Sequence, residues 1–191
     1  PRSGTTLTES IIATSEDCIA GGEKVFFDVN CRPMIKQIEH KKTDKESLLK
    51  LGTRYLEIIE IQRQGKKFYV DKMPGNFLWY KFIRANLPLA KFINIHRDPW
   101  DNAISLFKQN YVTNIFFSSS FFGIALEYAN YEHVMRKWKN HENNNILDVN
   151  YHDLVTNTEI AAKKIWEFCN LPGKYEKIKR TRYFAQTASK E

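Results

Sequence analysis

The chain opens on PRSGTTLTES, residues 1–10, and everything around it depends on how this stretch is read. Gly4 permits a tight turn and a close approach of ligand to backbone. Leu7, Ile11 and Ile12 recur at helical spacing, so a helix follows the turn. Thr5 and Thr6 then stand at a helix N-terminus, where unpaired N–H groups and the helix dipole favour an anion. Ser3, Thr5 and Thr6 add hydroxyl donors, and Arg2 adds a cation with fork geometry. An ordinary polar turn can carry the same letters. As a phosphate loop it belongs between a parallel strand and its helix, so a first strand is expected before Pro1. The Walker pattern GxxxxGK[ST] lacks its lysine and its first glycine here, which argues against nucleoside triphosphate hydrolysis.

Outward from the loop, strand and helix patterns alternate. IAGGEKVFF (19–27) reads as a turn into an extended piece. Residues 41–67 carry an amphipathic helix with Leu48, Leu51, Tyr55, Ile58 and Gln62 on one face, started by Thr43 or Asp44 and stopped at Gly65. KFYVDK (67–72) is a short strand, PGNFLWYKFIRANLP (74–88) a helix opened by Asn76, and KFINIH (91–96) a second strand. Asp98 caps a helix with Pro99 at its first position. A long helix spans roughly 121–141, NILDVNY (145–151) is a third strand, and TNTEIAAKKIWEFCN (156–170) is a final helix. This alternation predicts an α/β fold with a parallel sheet covered by helices, in one domain over 1–191.

Composition bounds the function. Lysine and arginine number 29 against 22 acids, a net charge of +7, which suits an anionic partner or simply a basic surface. Cys18, Cys31 and Cys169 stand far apart with no CxxC pair, so they read as small buried hydrophobes, not as a disulfide frame or zinc site. No apolar run approaches the roughly 20 residues a membrane span needs. The absence of any Asn-x-Ser/Thr sequon leans towards a cytoplasmic setting.

HRDPWDNAISLF (96–107) begins like a kinase catalytic loop, yet Ala103 stands where that loop needs asparagine, and neither a DFG nor a GxGxxG occurs. Arg97 instead ends a strand, and Ser105 lies eight residues on, about two helical turns away. Strand ends are where doubly wound sheets bind ligands. Arg97 either holds a single phosphate with Ser105 or pairs with Asp98 or Asp101. Lys72, after the 67–72 strand and before Pro74, sits at another strand end.

Four motifs in order, PRSGTTL, DKMP, RDPWDNAIS and VNYHDLV, resemble the sulfotransferases that use 3′-phosphoadenosine-5′-phosphosulfate (PAPS). The likeness is greatest to the branch holding tyrosylprotein sulfotransferases and bacterial sulfotransferases linked to tetratricopeptide repeats, and it covers nearly the whole chain. It implies a P-loop-like sulfotransferase fold, trimmed here of its first strand and of a basic segment after Ser189, with a repeat region possible ahead of it. Arg2, Ser3, Gly4, Thr5 and Thr6 would grip the 5′-phosphosulfate. Arg97 and Ser105 would grip the 3′-phosphate, Tyr151 would lie near the nucleotide, and Ser189 would reach the phosphosulfate from a late loop.

By the same resemblance Glu23 would be the general base, 21 residues after Arg2. Lys72, helped by Arg2, would neutralise the bridging oxygen, with PAPS as co-substrate, its desulfated product PAP left behind and no metal required. The acceptor would be a hydroxyl on protein tyrosine, a glycan or a small molecule. Tyrosylprotein sulfotransferases carry an arginine two residues after the glutamate, where this chain has Val25, so tyrosine peptides are in question. The aromatic stretch NYVTNIFFSSSFF (110–122) reads as helix packing or as an acceptor wall. Rival readings are a P-loop-like nucleotide or small-molecule kinase, a PAPS-binding scaffold without turnover, and a non-catalytic anion- or nucleic-acid-binding module. The last lacks a striped basic face or any recognition-helix or RNP-like pattern.

Overall fold

The computed structural model describes residues 1–39, 45–108, 116–141, 145–173 and 175. Eight helices and four strands alternate: α1 (Thr5–Ile12), β1 (Cys18–Ala20), α2 (Phe26–Glu39), α3 (Lys45–Arg63), β2 (Phe68–Val70), α4 (Tyr80–Asn86), β3 (Phe92–His96), α5 (Pro99–Phe107), α6 (Phe121–His141), β4 (Ile146–Asn150), α7 (Tyr151–Thr156) and α8 (Thr158–Cys169). The class is α/β, and the described strands pair in parallel.

They pair two by two. β1 runs beside β2, with Cys18 opposite Phe68, and β3 beside β4, with Phe92 opposite Ile146. No described strand joins β2 to β3. A cavity of about 810 Å³ lies there, walled by Phe68, Tyr69 and Val70 on one side and by Phe92 to His96 on the other, and Pro1 reaches it too.

Local chemistry explains most boundaries. Asp98 accepts from the Trp100 and Asp101 amides and caps α5, with Pro99 at its first turn. Gln64 and Gly65 both take positive φ where α3 stops. The proposed starters of α3, Thr43 and Asp44, lie outside the described residues. Two segments depart from the sequence reading. From Phe26 the chain forms α2 instead of an extended piece, because Phe27, Cys31 and Met34 fall on one helical face and pack in the cluster shared with α3. Pro33 inside α2 disguises that pattern. The 74–88 helix starts as a 3₁₀ turn, Pro74–Trp79, before α4.

One apolar cluster unites α1, β3, β4, α7 and α8 through Ile11, Ile95, Val149, Leu154 and Ile165. A second joins α2, α3 and α4 through Phe27, Cys31, Leu51, Tyr55 and Ile83. On α3 Leu51, Gly52 and Tyr55 are buried, while Ile58, assigned to the same face, is exposed. Burial pushes the Cys18 thiol up to about 12 and Cys31 to about 11, consistent with thiols used as packing groups. No described helix is long and apolar enough to cross a membrane.

Leu154 is fully buried under the opening loop, with its side chain 3.4 Å from where a Cβ on Gly4 would stand. Leu154→Ala is expected to lose about 2–5 kcal/mol of stability through the cavity left behind. A urea titration reads this as a fall in midpoint; an unchanged midpoint would mean that the loop does not rest on this core.

Candidate active site

The opening loop is built by backbone strain that other residues hold. Arg2 has φ +59, a left-handed conformation that costs a non-glycine residue about 1–2 kcal/mol. The Pro1 carbonyl accepts from Asn102 Nδ2 at 3.0 Å, and the Arg2 carbonyl accepts from Arg97 Nη1 at 3.1 Å. Both donors come from the β3–α5 segment, so the two sequence anchors meet in space. Gly4 follows with φ +96 and forms the N-cap of α1, leaving the first turn without a side-chain cap. Glycine is needed there twice over. A Cβ would strain the backbone and would also stand 2.5 Å from the Tyr151 ring. Thr5 and Thr6 open the helix behind it. Ser3 turns its hydroxyl inward to the Pro1 carbonyl at 3.3 Å.

Arg97 leaves the end of β3 and lays its guanidinium over the Tyr151 ring, 4.6 Å from the centroid. Its Nε is buried and has no hydrogen-bond partner among the described residues. Asp98, the alternative partner of Arg97, is taken up as the α5 cap. Ser105, on α5, accepts from Arg2 Nε at 3.1 Å. The sequence pairs Ser105 with Arg97; the structure pairs it with Arg2. The two stretches that lie far apart in sequence are thus joined in space, with Arg2 bridging the loop and α5.

A second group of residues adjoins it. Lys72, just past β2, donates to Glu23 Oε1 at 2.6 Å. Lys72 is 15% exposed and Glu23 53%, so the lysine is the enclosed partner and the carboxylate the one that faces solvent. The backbone sets this meeting: the Gly21 amide donates to Val70 and the Lys72 amide to Gly22, which continues the β1–β2 pairing past its ends. A Cβ on Gly21 would stand 2.3 Å from the outer end of the Tyr69 ring, so any other residue there would force that ring to shift.

Three functional neighbours escaped the sequence reading. Asn102 holds the Pro1 carbonyl. Asp71, half-buried beside Lys72, accepts from the Tyr55 hydroxyl at 2.6 Å, and desolvation raises its pKa. Glu9, buried on α1, accepts from the Gly22 amide at 2.7 Å. A lone acid among uncharged residues from Gly4 to Ser15 is the signal that points to Glu9. Ser189 lies outside the described residues. Among the described residues no group of three His, Cys, Asp or Glu side chains could hold a metal ion.

A family model described as the sulfotransferase family matches residues 1–176. The chain belongs to the sulfotransferase family. The match takes in the loop, Glu23, Lys72, Arg97, Ser105 and Tyr151. An uncharacterized protein of Aquifex aeolicus (strain VF5) is 28% identical over 188 residues, which is 90% of this sulfotransferase chain and 25% of the relative. The chain thus spans about a quarter of the length of that curated relative.

Proposed function

We propose that the chain transfers a sulfuryl group from PAPS to an acceptor hydroxyl, with Glu23 as general base. The observation that carries this reading is the convergence of the Gly4 turn, Arg2, Arg97, Ser105 and Tyr151 on one site. A nucleotide with phosphates at both 3′ and 5′ positions matches that spread of donors. The buried Arg97 Nε, without a hydrogen-bond partner among the described residues, is the feature that favours it. The 5′ end belongs at the α1 N-terminus with Arg2, Ser3, Thr5 and Thr6. The 3′-phosphate belongs with Arg97 and Ser105, where Tyr151 fixes the guanidinium plane.

PAPS supplies an SO3 unit bonded to a phosphate oxygen. The S–O bond to that phosphate breaks while one to the acceptor oxygen forms, and the acceptor proton passes to Glu23. Lys72 and Arg2 donate to the departing oxygen, and Ser189 would add a hydroxyl. Such preorganised donors act where charge develops and need no metal for it. The reacting groups must lie between Glu23 and Lys72. The 2.6 Å pair therefore opens on ligand binding, with the half-exposed carboxylate the side that moves.

The acceptor class remains that of a hydroxyl on protein tyrosine, a glycan or a small molecule. Val25, exposed at the start of α2, supplies no cation for an acidic tyrosine peptide, which favours the other two. A tetratricopeptide-repeat region ahead of Pro1 would be an acceptor-presenting partner within the longer protein.

PAP is expected to raise the melting temperature by about 5–10 °C at 100 times its Kd, from the mass-action stabilisation of a ligand that binds only the folded state. PAPS turnover with a panel of hydroxyl acceptors then separates an enzyme from a scaffold. No shift at millimolar PAP, or turnover of ATP in place of PAPS, would overturn the proposal.

A further inference from the structure

We infer that Glu9 is a positioning residue that clamps the Gly21–Gly22 turn and so fixes where Glu23 stands against Lys72. Its consequence for turnover rests on the sulfotransferase mechanism proposed above; its geometry does not.

Glu9 lies in mid-helix on α1, one turn behind the phosphate loop, and is only 9% exposed. A carboxylate in such a place must find donors or lose stability. Its donor is the Gly22 amide, 13 residues away, at 2.7 Å. Gly22 has φ +67 and open space where a Cβ would stand, so glycine serves here to permit the turn and not to avoid a clash. The Gly22 carbonyl accepts from the Lys72 amide at 2.9 Å. One peptide segment thus ties three elements together: α1 through Glu9, β1 through its own chain, and β2 through Lys72.

Glu23 is the next residue. Its side chain is half exposed and held by a single ion pair to Lys72. An exposed pair of that kind contributes little rigidity. The backbone must therefore position the carboxylate, and the Glu9 bond holds the Gly22 amide of that backbone while the Lys72 amide holds its carbonyl. The charged groups near Glu9 are Lys72, Glu23 and Asp71. Burial raises the Glu9 pKa, partly offset by the hydrogen bond from the Gly22 amide and by the positive charge of Lys72. The same helix that begins at the phosphate loop therefore sets the base, which ties the two halves of the site into one rigid unit.

Glu9→Met keeps the shape and removes the acceptor; Glu9→Gln keeps an acceptor oxygen for the Gly22 amide. The expected result for Glu9→Met is loss of hydrogen-exchange protection at the Gly22 amide and a fall in kcat of about 10- to 100-fold, as for a misplaced catalytic group. KM for PAPS and the PAP-induced melting shift stay as in the parent chain. Glu9→Gln restores both Gly22 protection and kcat. A Glu9→Met protein with the Gly22 amide still protected, or with kcat unchanged, overturns the inference. So does loss of PAP binding in step with loss of activity, since that marks a general structural defect. The exchange measurement needs no sulfuryl donor. A parent chain that fails to turn over PAPS would refute the proposed function while leaving the Gly22 test standing.

Discussion

Glu23→Gln is expected to slow sulfuryl transfer by about 10²- to 10⁴-fold, the usual worth of a positioned general base, while PAP binds as it does to the parent chain. The separation follows from where Glu23 sits. It touches Lys72, and nothing that builds the loop around Gly4 or the Arg97 platform depends on it. The amide cannot take the acceptor proton, and it releases Lys72 from an ion pair without removing the lysine. Steady-state kinetics with PAPS, together with a PAP melting shift on the same sample, reads both quantities. Parent-like turnover would remove Glu23 as the base, and a lost PAP shift would mean that the Glu23–Lys72 pair belongs to the nucleotide's binding surface.

Arg97→Ala is expected to weaken PAP by at least about 10²-fold, since it would delete the two charge-assisted hydrogen bonds proposed for the 3′-phosphate, at about 1.5–3 kcal/mol each. The side chain also holds the Arg2 carbonyl and covers Tyr151. Its loss loosens the strained Arg2 backbone and lets the opening loop relax. Lysine is not an adequate substitute, because its compact ammonium offers neither the planar face for Tyr151 nor the fork of separated donors that can reach the Arg2 carbonyl and a phosphate together. Isothermal titration with PAP reads the effect; affinity within a few-fold of the parent would move the 3′-phosphate elsewhere.

Much of this was legible in the sequence because the signals are local. The Gly4 turn, the Asp98–Pro99 start of α5, and the span of α6 follow from residue chemistry within a few positions. The candidate site was legible as separate motifs, since each sits at the end of a strand or the start of a helix. How the motifs meet was not, because that depends on contacts about 100 residues apart. Arg2 to Ser105 and Asn102 to Pro1 are such contacts, and no spacing rule connects them. α2 was missed because Pro33 and the aromatic pair at its start mask a helical stripe that only packing against α3 reveals. Ile58 was placed on the wrong side of α3 because a long apolar helix offers more than one stripe, and burial against α4 selects among them. Glu9 was passed over because a single buried acid has no motif; its meaning lies in the Gly22 amide opposite.

The account stands on one site that joins the turn at Gly4 to Arg97 and Ser105. A crystal structure of the chain soaked with PAP tests this most directly. The result predicted is one phosphate within hydrogen-bonding distance of the Thr5 and Thr6 amides, and the other within reach of Arg97 and Ser105. PAP bound away from the α1 N-terminus, or with both phosphates remote from Arg97, would contradict it.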